Sequence, residues 1–456
     1  MINNKTQQNV NQLSLTNKIT KDIINSLKAK DNISIYKILK QLHNADIAEL
    51  LNIVGHDERL ALVSIIKKEL DPEILIDLNS TALSETIDVI GSQQTAEAIL
   101  ELDVEDAVQL VEELTDDEQH DILQSMPDTA SGELRESLAY PLDSAGRLMH
   151  KEIVAIPEFW QVGQIIDLMR DDNNIPDDFY EFHITDPKLK PIGAVAVSRL
   201  IKSKRNILVK DIMQTNIHII NANMEQEEVA FIFRKYGLAS APVTNDEGRI
   251  IGTIFMEEIL DVINQEAEED IMRLGGVMET DLQDGVYNTI KQRFPWLFIN
   301  LITAIIASIV IGLFDEAIEK IVALAVLMPI IASMGGNAGT QTLTIIVRAI
   351  VTKQLSFTNA MRLVLKESQV GCLNGLLFSV ITGISIYLWY GDIAISLIFA
   401  VAMIITLFTA GFFGIVIPLS LVKMKIDPAI ASSVFLTTIT DVVAFGVFLG
   451  LAVWLI

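Results

Sequence analysis

Cysteine and histidine are scarce, and their scarcity excludes several kinds of chemistry. The chain of 456 residues has one cysteine, Cys372, so it can form neither an intrachain disulfide nor a thiolate metal cluster. All six histidines precede Ile290, and they are His43, His56, His120, His150, His183 and His218. The apolar part that follows has no histidine and no HExxH motif, which argues against an intramembrane protease, a zinc enzyme or a soft-metal carrier. Oxygen ligands remain, and they suit hard cations such as Mg²⁺.

Basic residues are too few to balance the acidic ones, but only in one part of the chain. The formal net charge is -25, with 52 acidic and 25 basic residues through Ile290 and 7 acidic and 9 basic residues beyond it. The acidity therefore belongs to the N-terminal part. Such a surface repels nucleic acid and anionic lipid and attracts cations. The alternative is an acidic surface that only keeps the protein soluble.

Five long apolar segments follow Ile290, and each is long enough to cross a bilayer. They cover residues 294–314, 321–347, 363–390, 393–422 and 428–456. Lysine and arginine flank their ends on one side, whereas the turns on the other side hold Asp315, Glu316, Glu319 and Asp392 with only Lys320 opposing. The positive-inside rule predicts a multi-pass protein of the inner (plasma) membrane, with a cytoplasmic N-terminal part and the C-terminus outside.

The second apolar segment has a polar centre, PIIASMGGNAGTQTLT at residues 329–344. It contains Gly335, Gly336, Asn337, Gly339 and Gln341, none of which suits a helix that faces lipid. Backbone and side chains of this kind occur at membrane depth where they line a water-filled path or pack against protein. We favour an opened helix turn that offers oxygens to a hydrated ion. A close helix contact through small residues, as in a GxxxG motif, is the alternative.

A single carboxylate, Asp441, lies about half-way along the last apolar segment in TTITDVVAFGVFLG. A charge there costs about 2.5–3.5 kcal/mol on insertion scales, so it should face the bundle interior and have a function. A cation site is the favoured interpretation, and a protonated acid bonded to a neighbouring helix is the alternative. Asp427 precedes Pro428, so it either caps the last helix or stands at the inner mouth of an ion path.

The N-terminal part begins with a disordered tail, residues 1–17, followed by an α-helical domain at 18–140. Apolar residues three and four apart, in stretches such as ADIAELLNIV and EDAVQLVEEL, predict stacked helical pairs. Asp46, Asp103 and Asp106 stand at predicted helix starts. They either favour the helix N-termini or bind a cation.

A strand-and-helix pattern then occurs twice, at residues 141–202 and 203–263. This duplication resembles a pair of cystathionine-β-synthase-type (CBS) regulatory domains. Many such domains hold an adenosine ribose with a Thr or Ser and a downstream Asp. Here the matching positions are Ala196 and Arg199 in the first copy and Phe255 and Glu258 in the second, which argues against ATP at the CBS pair.

An acidic connecting helix, predicted at residues 264–290, links the CBS pair to the apolar segments. Its row of acidic residues already begins before residue 264, at Glu258. Several carboxylates three to five residues apart share a face and repel one another. Gly275 and Gly276 should end the acidic helix. A divalent-cation sensor and a solvated linker are both open interpretations. The carboxylates are those of Glu258, Asp261, Glu266, Glu269 and Asp270.

The order of these parts, with GGNAGTQ in the second span and TTITD in the fifth, resembles the MgtE family of magnesium transporters over nearly the whole chain. The resemblance implies a homodimer with one ion path between protomers, closed by cytoplasmic Mg²⁺. It makes Asp441 the pore carboxylate, with Gly336, Asn337 and Gln341 in the pore-lining segment. It also sets Glu225 and Glu227 of the second CBS copy opposite the acidic helix, whereas Gly237 stands where the family often has an acid.

The expected fold is therefore multi-domain: an all-α superhelical N-terminal domain, an α/β tandem CBS pair, an acidic connecting helix and a five-helix transmembrane domain at 291–456. The expected function is Mg²⁺ transport into the cytoplasm, with Mg²⁺ as both cargo and regulator and with no enzymatic activity. Oxygen ligands alone leave Co²⁺, Mn²⁺ or Ca²⁺ as alternative cargo. A CBS-regulated membrane enzyme or a non-transporting sensor is the alternative from another class.

Overall fold

A computed structural model of the chain describes residues 15–153, 155–171, 179–277, 286–355 and 357–455. It divides the chain into two compact units, of which the first includes the described residues through Glu266 and the second begins at Ala267. The predicted tail lies mostly outside the described residues. The Thr16 side chain caps the first helix, which begins at Asn17.

In the described residues up to 138, ten short helices form the N-terminal part of the first unit. They are α1 (Asn17–Lys28), α2 (Asn32–Leu39), α3 (Asn44–Ile53), α4 (His56–Ile66), α5 (Glu73–Ile76), α6 (Ser80–Ile90), α7 (Ser92–Ile99), α8 (Val104–Glu112), α9 (Asp116–Ser125) and α10 (Asp128–Leu138). Their apolar faces share one core that runs from Ile23 to Leu134. Burial of these faces is the main stabilising contribution, because helices this short are marginal alone.

Two small mixed sheets follow, and they have the same topology. The first sheet contains β1 (Ala155–Pro157), β2 (Glu181–Thr185) and β3 (Pro191–Ala196), and the second contains β4 (Ile220–Asn221), β5 (Ser240–Thr244) and β6 (Ile250–Phe255). In each sheet the first pair of strands is parallel and the second is antiparallel. The helices of this region are α11 (Ala145–Leu148), α12 (Val162–Asp171), α13 (Val197–Lys202) and α14 (Gln226–Tyr236), with a 3₁₀ turn at Val209–Asp211. The predicted duplication is confirmed.

The acidic helix of the sequence prediction is the second half of a longer helix, α15 (Met256–Leu274), that begins directly after β6. The predicted stop is confirmed, since Gly276 adopts φ +70° and its N–H donates to the Arg273 carbonyl at 3.0 Å. Residues through Glu266 belong to the first unit and those from Ala267 to the second. One continuous helix therefore contributes to both units.

Among the residues that the structure describes, five helices of the second unit are long and apolar enough to span a membrane, as predicted. They are α16 (Val286–Gly312), α18 (Val322–Val351), α19 (Phe357–Tyr390), α20 (Ile393–Lys423) and α21 (Pro428–Leu455). A short helix that the sequence analysis took for a turn, α17 (Asp315–Lys320), precedes α18. The apolar core of this unit includes Leu327, Phe399, Met403 and Phe448, from α18, α20 and α21.

Candidate cation sites

The Gly-rich segment of α18 is helical throughout, so the prediction of an opened helix turn is wrong. The helix runs without interruption from Val322 to Val351. Gly335 and Gly339 are buried. A Cβ atom on Gly335 would lie 2.6 Å from Thr406 Cγ2, and one on Gly339 would lie 3.0 Å from Leu436 Cδ2. These two glycines therefore serve close approach of α18 to α20 and α21, which is the alternative interpretation of the motif.

The opposite face of α18 carries the amides and hydroxyls. A Cβ on Gly336 would meet no atom within 4 Å. The exposed polar residues lie three, four or seven apart and so form one stripe along the helix. We call this the α18 polar stripe, and it consists of Ser333, Asn337, Thr340, Gln341 and Thr344. Some of its groups are satisfied within the helix, since Thr340 Oγ1 donates to the Gly336 carbonyl at 2.9 Å. A polar stripe on the outside of a membrane helix requires a polar neighbour.

Asp441 lies half-buried in α21, one residue after the buried Thr440. The Thr440 side chain faces the Gly-rich segment, with its Cβ 3.5 Å from the position of a Cβ on Gly335. The hydroxyls of Thr437, Thr438 and Thr440 all donate to carbonyls of their own helix, at 2.7–3.1 Å. Within the described part of the chain, the Asp441 carboxylate has no hydrogen bond or ion pair. The alternative of an acid bonded to a neighbouring helix thus has no partner among those residues.

Asp427 combines a helix cap with an ion pair. Its Oδ1 accepts from the Ala429 N–H at 2.7 Å, which confirms the predicted cap of α21. Its Oδ2 accepts from Arg273 Nη1 of α15 at 2.7 Å. The other terminal nitrogen of Arg273 donates to Glu269 at 2.6 Å. The acidic helix is thus fastened to the start of the last span by one arginine.

Four of the predicted carboxylates meet in the first unit, in a cleft of about 630 Å³ between α8 and α15. Asp103 and Asp106 lie at the start of α8, in agreement with the prediction that they stand at a helix N-terminus. Glu258 and Asp261 lie on α15. Asp77, Glu105 and Glu257 also line this acidic cleft. The arrangement is long-range, because α8 and α15 are about 150 residues apart in the chain.

His150 lies in the acidic cleft between two carboxylates, a position that sequence reasoning did not find. Its Nδ1 pairs with Glu105 of α8 and its Nε2 with Glu258 of α15. Burial alone would lower the pKa of His150, but the hydrogen bonds to Glu105 and Glu258 raise it to about 10. The protonated ring therefore joins α8 and α15 at neutral pH. Glu258 therefore forms an ion pair with His150, in addition to the predicted repulsion between Glu258 and Asp261.

Two aspartates of the cleft, Asp106 and Asp261, have raised pKa values. Burial, together with the negative charges of Glu105 and Asp103, raises the pKa of Asp106 to about 6. Burial and the neighbouring Asp77 and Glu258 raise the pKa of Asp261 as well. A bound cation would relieve this repulsion, so the cleft is electrostatically suited to hold one.

Glu225, Glu227 and Glu266 all lie near the first turn of α14. Glu225 precedes α14 and Glu227 lies in its first turn, and both are exposed. The buried Gln226 between them donates to Glu266 Oε1 of α15 at 2.9 Å. The predicted proximity of the second CBS copy to the acidic helix is therefore observed through Gln226. Asp270 lies one turn beyond, half-buried on α15.

The four positions matched to a ribose site are occupied by groups of other kinds. Phe255 is buried and contacts the rings of His150 and Tyr180, at centroid distances of 4.8 and 6.3 Å. Glu258 accepts from the Phe255 N–H at 3.0 Å. In the first copy, Ala196 precedes α13 and Arg199 is exposed on it. That the pair binds no ATP stays a prediction.

Gly237, found where the resemblance leads one to expect an acid, has a structural role of its own. It ends α14 in the left-handed conformation, with φ +63°, and its N–H donates to the Phe233 carbonyl. An L side chain is disfavoured there, which explains the glycine.

Protein-family comparisons match three parts of the chain. The models are the MgtE intracellular N domain at residues 42–143, the CBS domain at 209–265 and the MgtE divalent cation transporter at 328–451. The chain belongs to the MgtE family. The transporter match includes both the Gly-rich segment of α18 and Asp441 of this MgtE-family chain.

Curated relatives extend the similarity to nearly full length. The magnesium transporter MgtE of Thermus thermophilus is 28% identical, with 95% of this chain and 98% of the relative covered. That of Bacillus subtilis is 26% identical, with 95% and 93% covered. Among solved structures, the cytosolic domain of the Mg²⁺ channel MgtE in complex with ATP is 22% identical with a TM-score of 0.48, covering 53% of this chain and 99% of that one.

Proposed function

We propose that this MgtE-family chain transports Mg²⁺ across the membrane into the cytoplasm. The observation that carries the proposal is Asp441, a half-buried carboxylate in a membrane helix without a protein partner among the described residues. A buried charge of this kind is costly unless a cation binds it. The names of the two curated relatives with near-complete coverage agree with Mg²⁺ as the cargo.

The ion path of this proposal lies between two protomers of a homodimer. The α18 polar stripe supports it, because its amides and hydroxyls lie on the outside of the single chain. A second copy that faces the stripe across a water-filled path supplies the polar neighbour that lipid cannot. The orientation follows from the flanking lysines and arginines, with the first unit in the cytoplasm.

Two copies of Asp441 suit Mg²⁺ in particular. Mg²⁺ loses its waters reluctantly and is commonly held by one or two carboxylates with several waters retained. Amides such as Asn337 and Gln341 can bind those waters by hydrogen bonds. A path also has to release the ion, so two carboxylates are better than a cage of many acids.

Regulation is proposed at the acidic cleft. We place the Mg²⁺ between Asp103, Asp106 and Asp261. It would neutralise the carboxylates of Asp106 and Asp261, whose pKa values are raised. Glu225, Glu227 and Glu266 near the start of α14 form the second proposed group. Because Mg²⁺ stabilises the compact arrangement, it would shift the population toward the state in which α15 closes the path. Glu269 and Asp270 lie on the part of α15 that belongs to the membrane unit.

Growth of a bacterial strain that lacks its own Mg²⁺ transporters tests the proposal. The unaltered chain should restore growth at low external Mg²⁺, and Asp441→Asn should not, at equal amounts of protein in the membrane. Glu319→Gln is the matched control, because Glu319 is an exposed acid of α17 outside the spans. Full growth with Asp441→Asn would show that transport does not need this carboxylate, and it would contradict the proposed ion path.

A further inference from the structure

His150 gives the acidic cleft a nitrogen ligand, which none of its carboxylates can supply. One ligand atom from each of His150, Glu257 and Glu258 lies within 4.8 Å of the other two. Ligand atoms around a single zinc ion are about 3–4 Å apart, given bond lengths of about 2.0–2.2 Å. The observed separation of at most 4.8 Å is close to this spacing.

The imidazole is held in place by its surroundings. The backbone N–H of His150 donates to the Thr253 carbonyl of β6 at 2.8 Å, and the backbone N–H of Thr253 donates to the His150 carbonyl at 3.0 Å. The ring meets the edge of Phe255 at 4.8 Å between centroids. Both the backbone and the ring are therefore fixed before any ion binds, which lowers the cost of binding.

Glu105 completes an arrangement that is typical of metal-binding histidines. Such a histidine donates the N–H of one ring nitrogen to a carboxylate and binds the metal through the other. Here Nδ1 pairs with Glu105, whereas Nε2 pairs with Glu258. Glu105 thus takes the place of the orienting carboxylate, and Nε2 of His150 takes the place of the metal ligand.

We propose that His150, Glu257 and Glu258 bind a transition-metal dication through one nitrogen and two carboxylates, with Glu105 orienting the imidazole. Binding exchanges one proton on Nε2, released to solvent, for the metal ion, because imidazole ligates as the neutral ring. Mg²⁺ prefers oxygen ligands only, whereas imidazole suits Zn²⁺ and its neighbours in the first transition row. The acidic cleft therefore contains a site that Mg²⁺ does not fill, next to the carboxylates proposed for Mg²⁺.

The test measures Zn²⁺ binding to the full chain in detergent, free of any affinity tag and in a large excess of Mg²⁺. Competition against a chromophoric chelator should give one site per chain. Glu105→Gln should weaken it by about 10- to 100-fold, as the loss of an orienting carboxylate does elsewhere. His150→Gln should abolish it. His120→Gln is the matched control, because His120 is exposed on α9 and its Nε2 contacts only the neighbouring Gln124 among the described residues.

Two further measurements keep the proposal falsifiable should His150→Gln disturb the fold. Glu257→Gln changes an exposed proposed ligand, and it should weaken Zn²⁺ binding. X-ray absorption at the zinc edge of the unaltered chain should show imidazole scattering. Zn²⁺ binding that is absent in excess Mg²⁺, equal in Glu257→Gln or free of imidazole scattering would overturn the proposal. None of these results bears on transport, which is tested at Asp441.

Discussion

Arg273 of α15 donates to Asp427 at the start of α21, at 2.7 Å, and to Glu269 of its own helix at 2.6 Å. Its neighbour Leu274 packs on the apolar cluster that includes Val347, Leu421 and Leu436 of the spans. The carboxylate of Asp427 therefore serves α21 through one oxygen and α15 through the other. A change in α15 would therefore reach the membrane helices through this ion pair and through Leu274.

Arg273→Gln should loosen the contact between α15 and α21 and weaken the proposed inhibition by internal Mg²⁺. A half-exposed ion pair contributes about 0.2–1 kcal/mol, so the ratio of closed to open path should fall by no more than about fivefold. Patch recordings at graded internal Mg²⁺ measure this ratio. Arg249→Gln, which removes the exposed Arg249–Glu247 pair, is the control. An unchanged response in Arg273→Gln would separate this ion pair from regulation.

Gly335→Ala and Gly336→Ala should differ in sign, although the two positions are adjacent. A methyl on Gly335 would lie 2.6 Å from Thr406 Cγ2, and overpacking of this kind costs about 1–3 kcal/mol. A methyl on Gly336 meets nothing within 4 Å, and alanine favours a helix by about 1 kcal/mol over glycine. Thermal unfolding in detergent measures both. Equal effects would contradict the close approach of α18 to α20.

His150→Gln should destabilise the first unit in the absence of divalent ions, by about 2 kcal/mol near pH 6, because it removes two charge-assisted hydrogen bonds. The pKa of His150 is raised from 6.5 to about 10 on folding. The stabilisation is therefore complete below pH 6.5 and is lost as the pH rises through about 10. Unfolding curves of both proteins in chelator should converge toward pH 10. A difference that grows with pH would contradict the assigned ion pairs.

Asp106→Asn should have the opposite effect on stability and should weaken the response to Mg²⁺. Burial and the charges of Glu105 and Asp103 raise the pKa of Asp106 to about 6 on folding. The ionised carboxylate is then unfavourable, so this group removes stability as the pH rises from its usual pKa through about 6.

In chelator at pH 7.5, Asp106→Asn should therefore unfold a few degrees above the unaltered chain. With Mg²⁺ added, its midpoint should rise less. Asp88→Asn, on the outer face of α6, is the control. A larger rise with Mg²⁺ in Asp106→Asn would show that Mg²⁺ binds elsewhere.

Sequence patterns predicted what local composition determines. The five spans, the duplicated strand-and-helix unit and the glycines that end α15 are all written in short stretches of the chain. Gly335 and Gly339 led to the wrong prediction of an opened helix turn, because a Gly-rich segment is compatible with both an opened turn and a close helix contact. Only the positions of Thr406 and Leu436 decide between them.

The role of His150 could not be predicted in this way. Its partner Glu258 is 108 residues away in the chain, and Glu105 belongs to a different domain of the first unit. Sequence spacing carries no signal for such a contact.

The central claim is that Asp441 binds the transported ion, and Mg²⁺ flux into proteoliposomes tests it most directly. A Mg²⁺-sensitive dye inside the vesicles should report uptake through the unaltered chain and through Glu319→Gln. Uptake through Asp441→Asn, reconstituted in equal amount and with an unchanged unfolding midpoint, should fall to the level of empty vesicles. Mg²⁺ uptake through Asp441→Asn at the rate of the unaltered chain would contradict the account.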